Sequence, residues 1–263
     1  MTFRPAANVL CGARRGGLVG GMSEFDPRLY GARWAEQYDE WHAGMMDDAG
    51  AVATLASLAE GGPLLELAVG TGRLAVPLAD KGLEVVGVDV SEEMLAELAK
   101  KSDAVSTVVG DMTTVRLERE FAVVFVAFSS IFVLPTQEDQ VRLFENAAAH
   151  LRPGGRFALE TSVVSGPRRG NADSFRVSKI ETDRLTVSAG IVDPVTLFYN
   201  GTWVVFEPNG TRFYPISGRS VPHGEMDLMA RLAGLELENR WGDWQGSPFT
   251  AESKVHISVY RKP

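Results

Sequence analysis

The sequence predicts an α/β fold: a doubly wound, mostly parallel sheet of seven strands, with an antiparallel β insertion after the fifth strand and a helical lid before the first. Three observations carry that prediction. Short, near-continuous apolar runs such as Leu64–Ala68 and Phe121–Ala127 alternate with helical patterns, as strands buried on both faces of a parallel sheet do. Residues 165–220 hold four β-rich runs with turn signals between them and no convincing helix. Ahead of the first strand, Tyr30, Trp34, Tyr38 and Trp41 recur at helical intervals, which predicts one aromatic stripe closing over the sheet's carboxyl edge.

The elements follow in order. Helical patterns cover about 29–42 and 45–60, the strand Leu64–Ala68 comes next, and a helix from about 72 to 81 precedes the strand Glu84–Asp89. Ser91 can cap a helix running to Lys101, because its hydroxyl accepts from the free amides of the first turn. Strands Ala104–Val109 and Phe121–Ala127 follow, then a helix from about Gln137 to His150. Arg152-Pro153-Gly154-Gly155 cannot continue that helix, and the fifth strand is Arg156–Glu160. In the insertion, Phe175–Ile180, Leu185–Ile191, Leu197–Phe206 and Thr211–Gly218 read as antiparallel strands, with Asn209-Gly210 a hairpin turn. A helix at 222–233 and strands Leu235–Trp241 and Lys254–Tyr260 return the chain to the main sheet.

Composition narrows the function. With 34 acidic against 26 basic residues the formal charge is -8, and no basic patch stands out, so a polyanionic nucleic acid is an unfavoured partner. No apolar run is long enough to cross a bilayer. The single cysteine, Cys11, precludes an internal disulfide and no zinc spacing is present, so no metal and a cytoplasmic setting are expected. Met1–Gly21 holds three arginines, five glycines and no acid. It reads as a disordered tail ahead of a domain at 22–263, with Met22 an alternative natural start.

The informative stretch is Leu64-Leu65-Glu66-Leu67-Ala68-Val69-Gly70-Thr71-Gly72-Arg73, a buried strand entering a glycine-bearing turn and a helix. Ligands of open α/β sheets bind beyond the carboxyl ends of the strands, where glycine lets the backbone approach. Asp89 ends the second strand, seventeen residues after Gly72, where its carboxylate can accept from both hydroxyls of a ribose. An adenosine-containing cofactor is indicated. Gly70, Gly72 and Ala75 also satisfy a loose dinucleotide pattern, so a nicotinamide-dependent oxidoreductase is the alternative, and a binding module without turnover a further one.

Glu66-x-Ala-x-Gly70-x-Gly72, Asp89, Gly110-Asp111-Met112 and Leu151-Arg152-Pro153-Gly154-Gly155 stand in the order and spacing of class I S-adenosylmethionine-dependent methyltransferases, which this chain resembles over Tyr30–Glu160. It is similar to the small-molecule branch that includes amino-sugar N-methyltransferases. Ala68 departs from the family's usual first glycine. The resemblance implies S-adenosylmethionine as cofactor and a small-molecule acceptor, a specialised metabolite or amino sugar, with transfer to nitrogen or oxygen. It implies that Glu66 orders the turn and the methionine end, that Gly70 and Gly72 pass beneath it, and that Asp89 holds the ribose. Asp111 would meet the adenine amino group, Met112 its face, and the backbone around Phe128 the ammonium. Tyr30 and Tyr38 resemble tyrosines that close over the methionine end. As catalytic base candidates, Glu160 ends the fifth strand and His42 the lid helix, with His223 and Tyr199 behind them. Arg168 and Arg169 could meet an acidic group.

Overall fold

A computed structural model describes residues 27–44, 46–164 and 173–263. The tail at 1–21 and the pair Arg168-Arg169 therefore lie outside the described residues. Seven strands form the main sheet: β1 (Leu64–Leu67), β2 (Val85–Asp89), β3 (Ser106–Val109), β4 (Phe121–Val126), β5 (Leu151–Ser162), β10 (Glu236–Trp241) and β11 (Val255–Arg261). Their order is β10-β11-β5-β4-β1-β2-β3, and only β11 runs against its neighbours. The order reverses between β1 and β4, which places the crevice at their carboxyl ends.

Burial on both faces explains the apolar runs. Leu65, Leu67, Val124 and Val126 face one way, packing with α6 (Gln137–His150) and α7 (His223–Leu232). Leu64, Val123 and Phe125 face the other, against α3 (Asp48–Ala59), α4 (Ala75–Asp80) and α5 (Glu92–Ala99). Ser91 caps α5 as expected, its hydroxyl accepting from the Met94 amide at 3.2 Å.

Two local expectations are corrected. Leu151–Gly155 does not stand outside the fifth strand: the pairing with β4 jumps from Phe121–Leu151 to Val123–Arg156, so the Pro-Gly-Gly segment is a bulge carried inside a longer strand. Gly154 donates to the Lys262 carbonyl and Lys262 to Gly155, which satisfies the bulged backbone. The lid is likewise not one helix. It is α1 (Pro27–Trp34), a tight turn at Ala35–Gln37 and α2 (Tyr38–His42).

The insertion forms a separate four-stranded antiparallel sheet in chain order: β6 (Asp173–Glu181), β7 (Arg184–Val192), β8 (Phe198–Glu207) and β9 (Gly210–Arg219). α1 lies between β9 of this sheet and α5 of the main layer. Gly31 meets the start of α5 so closely that a Cβ there would lie 2.0 Å from the Ser91 hydroxyl.

Candidate active site

The turns after β1, β2 and β4 meet in one cavity of about 390 Å³ at the switch point. After β1 the chain winds left-handed at Ala68 (φ +63), Gly70 (φ +55) and Gly72 (φ +82). Gly72 has a second reason to be glycine, since a Cβ would stand 2.8 Å from Leu98. Asp89 ties this turn to the next: one carboxylate oxygen accepts from the Gly70 amide at 2.8 Å, the other from the Ser91 amide at 2.9 Å. Burial pushes the Asp89 carboxyl up, and the three backbone donors around it pull it down. Asp111 accepts from both the amide and the hydroxyl of Thr113 at 2.7 Å, which fixes the turn that presents Asp111 and Met112 to the cavity.

After β4, Phe128 (φ +52) and Ser129 (φ +61) are consecutive left-handed residues without the relief that glycine provides. Glu160 holds them there. Its Oε2 accepts from the Phe128 amide at 2.9 Å, its Oε1 from the Trp244 indole at 3.0 Å, and its backbone carbonyl from the Ser129 amide at 2.9 Å. Arg73 stands 3.7 Å from the same carboxylate. With both oxygens engaged and the side chain outside the cavity lining, Glu160 is placed to shape the turn instead of taking a proton from an acceptor.

His42 is not in the cavity either. It lines a neighbouring recess of about 290 Å³ with Arg73, Lys101 and Asp39, its Nδ1 2.8 Å from the Tyr38 carbonyl. Burial holds its pKa below the ordinary imidazole value. His223 lies elsewhere, with its ring 5.9 Å from that of buried His256.

The expected aromatic stripe is split. Tyr30 and Tyr38 enter the cavity, whereas Trp34 packs on Tyr214 of β9 with ring centroids 4.7 Å apart and Trp41 on Trp203 of β8 at 6.1 Å. Each helix contributes one aromatic to each side, so packing against β8 and β9 sets the division: Trp34 and Trp41 are drawn onto Tyr214 and Trp203, and Tyr30 and Tyr38 are left at the cavity. Burial raises the Tyr30 phenol well above its usual value and Tyr38 up to about 12, so both stay neutral donors.

Glu66, on β1, is fully enclosed, and burial pushes it up to about 8. Its Oε2 has no hydrogen-bond partner among the described residues. Glu66 lies behind the cavity lining, and a buried carboxyl with one oxygen open fits a nearby positive charge or N–H donor, which would draw its pKa back down; Asp89, in the lining, has a further lone pair on each of its amide-bonded oxygens for a vicinal diol. The residues therefore fit the cofactor that the resemblance implies. Sequence reasoning did not assign Val90, Ser91, Met94, Leu134 or Ile216 to the lining. Ser91 and Met94 were visible only as the start of a helix, and Ile216 as one position in a strand.

Among the described residues no three His, Cys, Asp or Glu side chains converge as a metal site would require, and no helix is long and apolar enough to cross a membrane.

Residues 64–155 match the model of a methyltransferase domain family. Over 242 residues the chain is 29% identical to a cypemycin N-terminal methyltransferase from a Streptomyces species, covering 90% of this chain and 99% of that protein. Over 138 residues it is 32% identical to the dTDP-3-amino-3,4,6-trideoxy-alpha-D-glucopyranose N,N-dimethyltransferase of Streptomyces venezuelae, covering 50% of this chain and 58% of that protein. The structure of the CcbJ methyltransferase from Streptomyces caelestis matches with a TM-score of 0.83 and 36% identity, over 90% of this chain and 99% of that one.

Proposed function

Because this chain belongs to the class I S-adenosylmethionine-dependent methyltransferases, we propose that it methylates a nitrogen of a small, largely apolar or ring-bodied amine, with a hydroxyl as the second-ranked acceptor. Membership sets aside the nicotinamide-dependent and non-catalytic alternatives, and its cofactor is S-adenosylmethionine. The observation that carries the proposal is the continuity of the cavity. Its floor is the cofactor-type wall of Ala68, Gly70, Asp89 and Met112, and its roof is an apolar wall of Phe132, Leu134, Tyr199 and Ile216. The similar proteins named for N-terminal and N,N-dimethyl transfer support nitrogen over oxygen.

Bound S-adenosylmethionine supplies a methyl group already activated on a sulfonium. The residues of this chain then bind and orient. Asp89 accepts from the ribose hydroxyls, Asp111 and Met112 hold the purine, and Glu66 with the carbonyls of the Phe128 turn receives the ammonium. Tyr30 and Tyr38 close the methionine end. The roof excludes water and holds the nucleophile in line, and such positioning supplies several kcal/mol of a barrier without a covalent step. Among the described residues the roof carries no carboxylate. An amine therefore enters neutral and releases its proton to water after transfer, whereas a hydroxyl would call for a base. Tyr199, a neutral phenol 3.3 Å from the Phe132 carbonyl, fits a hydrogen-bonding role better than a basic one.

The acidic body and the roofed cavity support a small acceptor over a nucleic acid, and the single cysteine supports a cytoplasmic setting. The test is S-adenosylhomocysteine formation over matched acceptors: amino sugars, peptides with a free N-terminus, and the same bodies carrying hydroxyl in place of amine. Turnover confined to the amines is expected. Turnover of the hydroxyl compounds alone would overturn the nitrogen assignment.

A further inference from the structure

Four hydroxyls line the cavity around its apolar roof, those of Ser129, Ser130, Ser162 and Tyr199. A hydroxyl has one proton to donate and two lone pairs with which to accept, so what it offers a ligand depends on where its proton already goes. Ser130 opens the short helical turn Ser130–Val133 after β4, and its Oγ donates to the Ala127 carbonyl at 2.9 Å. Tyr199, on β8, donates to the Phe132 carbonyl of the same turn at 3.3 Å. A carbonyl only accepts, which fixes the direction of both bonds. Burial raises the Tyr199 phenol above its usual value, so it keeps that proton. The Phe132 carbonyl is pinned from the other side by Gly218 of β9, where a Cβ would lie 1.8 Å from its oxygen. Ser129 and Ser162 answer each other at the exposed rim: the Ser162 amide donates to Ser129 Oγ at 2.9 Å, and the two hydroxyls are 3.3 Å apart.

With their protons committed, Ser130 and Tyr199 present lone pairs to the cavity. The cations around it are engaged elsewhere. Arg73 pairs with Asp48 and Lys101 with Asp39 in the neighbouring recess, and Arg219 of β9 donates to Gln140 at 2.7 Å and Glu225 at 2.8 Å. Among the described residues no Lys, Arg or His lines the cavity. A neutral amine has the matching polarity, since it brings N–H donors and one lone pair, and that pair must point along the sulfur–methyl bond. A hydroxyl with a free proton would donate to that pair and mask it.

We propose that Ser130 and Tyr199 hold the acceptor by accepting hydrogen bonds from its N–H groups, and that the acceptor is an amine whose body carries no anionic group. The inference deepens the nitrogen reading of this cavity and rests on it. Held by its N–H groups, the nitrogen keeps its lone pair for the methyl: the N–C bond forms, the sulfur–methyl bond breaks with its electrons left on sulfur, and the proton leaves the product for water. A phosphate brings lone pairs alone to a wall that offers lone pairs, and it meets no cation among the described lining residues. That polarity sets this cavity apart from one built for a nucleotide-linked sugar.

Binding to the full chain in complex with S-adenosylhomocysteine tests this without turnover. The probes are aniline, N-methylaniline and N,N-dimethylaniline, which share a ring, are uncharged at neutral pH and carry two, one and no N–H; ligand-observed NMR titration reads their affinities. The wild type should bind aniline about fivefold more tightly than N,N-dimethylaniline, although the dimethyl compound has more apolar surface. In a Ser130→Ala/Tyr199→Phe variant that binds S-adenosylhomocysteine within a few-fold of wild type, the order should reverse and follow apolar area. Ser130→Thr retains the hydroxyl and should retain the wild-type order. Tyr199→Phe alone leaves the turn after β4 untouched, and should narrow the preference even where the double variant fails to bind S-adenosylhomocysteine. A wild type that binds the three alike, or none of them, would refute the proposal. So would a preference that survives unchanged in the variants, or phenyl phosphate bound as tightly as aniline. Methyl transfer to phenol and to none of the amines would instead overturn the nitrogen reading, while the order of binding still reports on Ser130 and Tyr199.

Discussion

The central strands of the seven-stranded sheet are buried on both faces, whereas the four-stranded sheet packs one face on α1 and the cavity and leaves Phe175, Val177, Ile180 and Phe213 exposed on the other. The first supplies the cofactor wall of the cavity and, through Phe132 and Leu134 after β4, part of its roof, and the second supplies the rest of the roof through Tyr199 and Ile216. Turns at the carboxyl ends of doubly covered strands are held by the whole core, so strained residues such as Ala68, Phe128 and Ser129 can be kept in place. A singly covered sheet holds its side chains with fewer contacts and can vary on the cavity side without unfolding the core. Cofactor recognition thus sits on the stiff wall and acceptor recognition on the adaptable one.

The largest expected effect tests the stiff wall itself. Phe125→Ala, on β4, should lower stability by about 3–5 kcal/mol in urea denaturation, the cost of an unfilled aromatic cavity. A loss below about 1 kcal/mol would mean that the seven-stranded sheet does not carry the stability that distinguishes it.

Glu66 sharpens the contrast through pH. Its folded pKa, about 8, lies above its ordinary value of 4.5, so the folded apo chain holds a proton that the unfolded chain has already released. Stability therefore falls as pH rises from about 4.5 to about 8, and Glu66→Gln, which cannot ionise, should escape that loss. The variant should match wild type at the low end of this window and exceed it by a few kcal/mol at the high end. Parallel urea midpoints across the window would show that the carboxyl is ionised throughout.

The walls should also separate by ligand. Asp89→Ala is expected to weaken S-adenosylhomocysteine binding by about 1.5–3 kcal/mol, the scale of hydrogen bonds to a charged group. Tyr199→Phe, on the roof, is expected to leave that affinity unchanged and to alter the acceptor KM by the equivalent of about 1 kcal/mol. A Tyr199 variant that loses cofactor instead of acceptor would break the division of labour.

The smallest effect concerns Ala68. At φ +63 its methyl group crowds the following carbonyl, and Ala68→Gly should raise stability by about 0.5–1 kcal/mol. An unchanged or lower melting temperature would show that the turn is not strained at that residue.

Much of the cofactor wall is legible in the amino-acid sequence, because each feature there is local. Apolar runs mark doubly buried strands, and Glu66, Gly70, Gly72, Asp89 and Asp111 each sit in or just after a strand that periodicity alone can place. The part of the roof on β8 and β9 is legible only as strands. Which of its residues turn inward depends on register against α1, and neither Ile216 nor Leu134 differs in its immediate sequence from an ordinary core residue. Glu160 shows the limit most clearly: as a carboxylate at the end of β5 it reads as a candidate base, yet Trp244, distant in sequence, and the Phe128 amide claim both of its oxygens.

By itself, then, the sequence determined the succession of strands and helices, the family and the cofactor-binding turns, since these rest on periodicity, backbone permissiveness and short spacings. Only the tertiary structure decided that Tyr30 and Tyr38 face the cavity while Trp34 and Trp41 face the second sheet, because the packing of both helices on β8 and β9 selects which side chains are covered. It also decided that His42 and Glu160 lie beside the site instead of in it, and that one face of the four-stranded sheet is left uncovered among the described residues. Side-chain direction at long range is set by which elements pack together, and no local spacing encodes that.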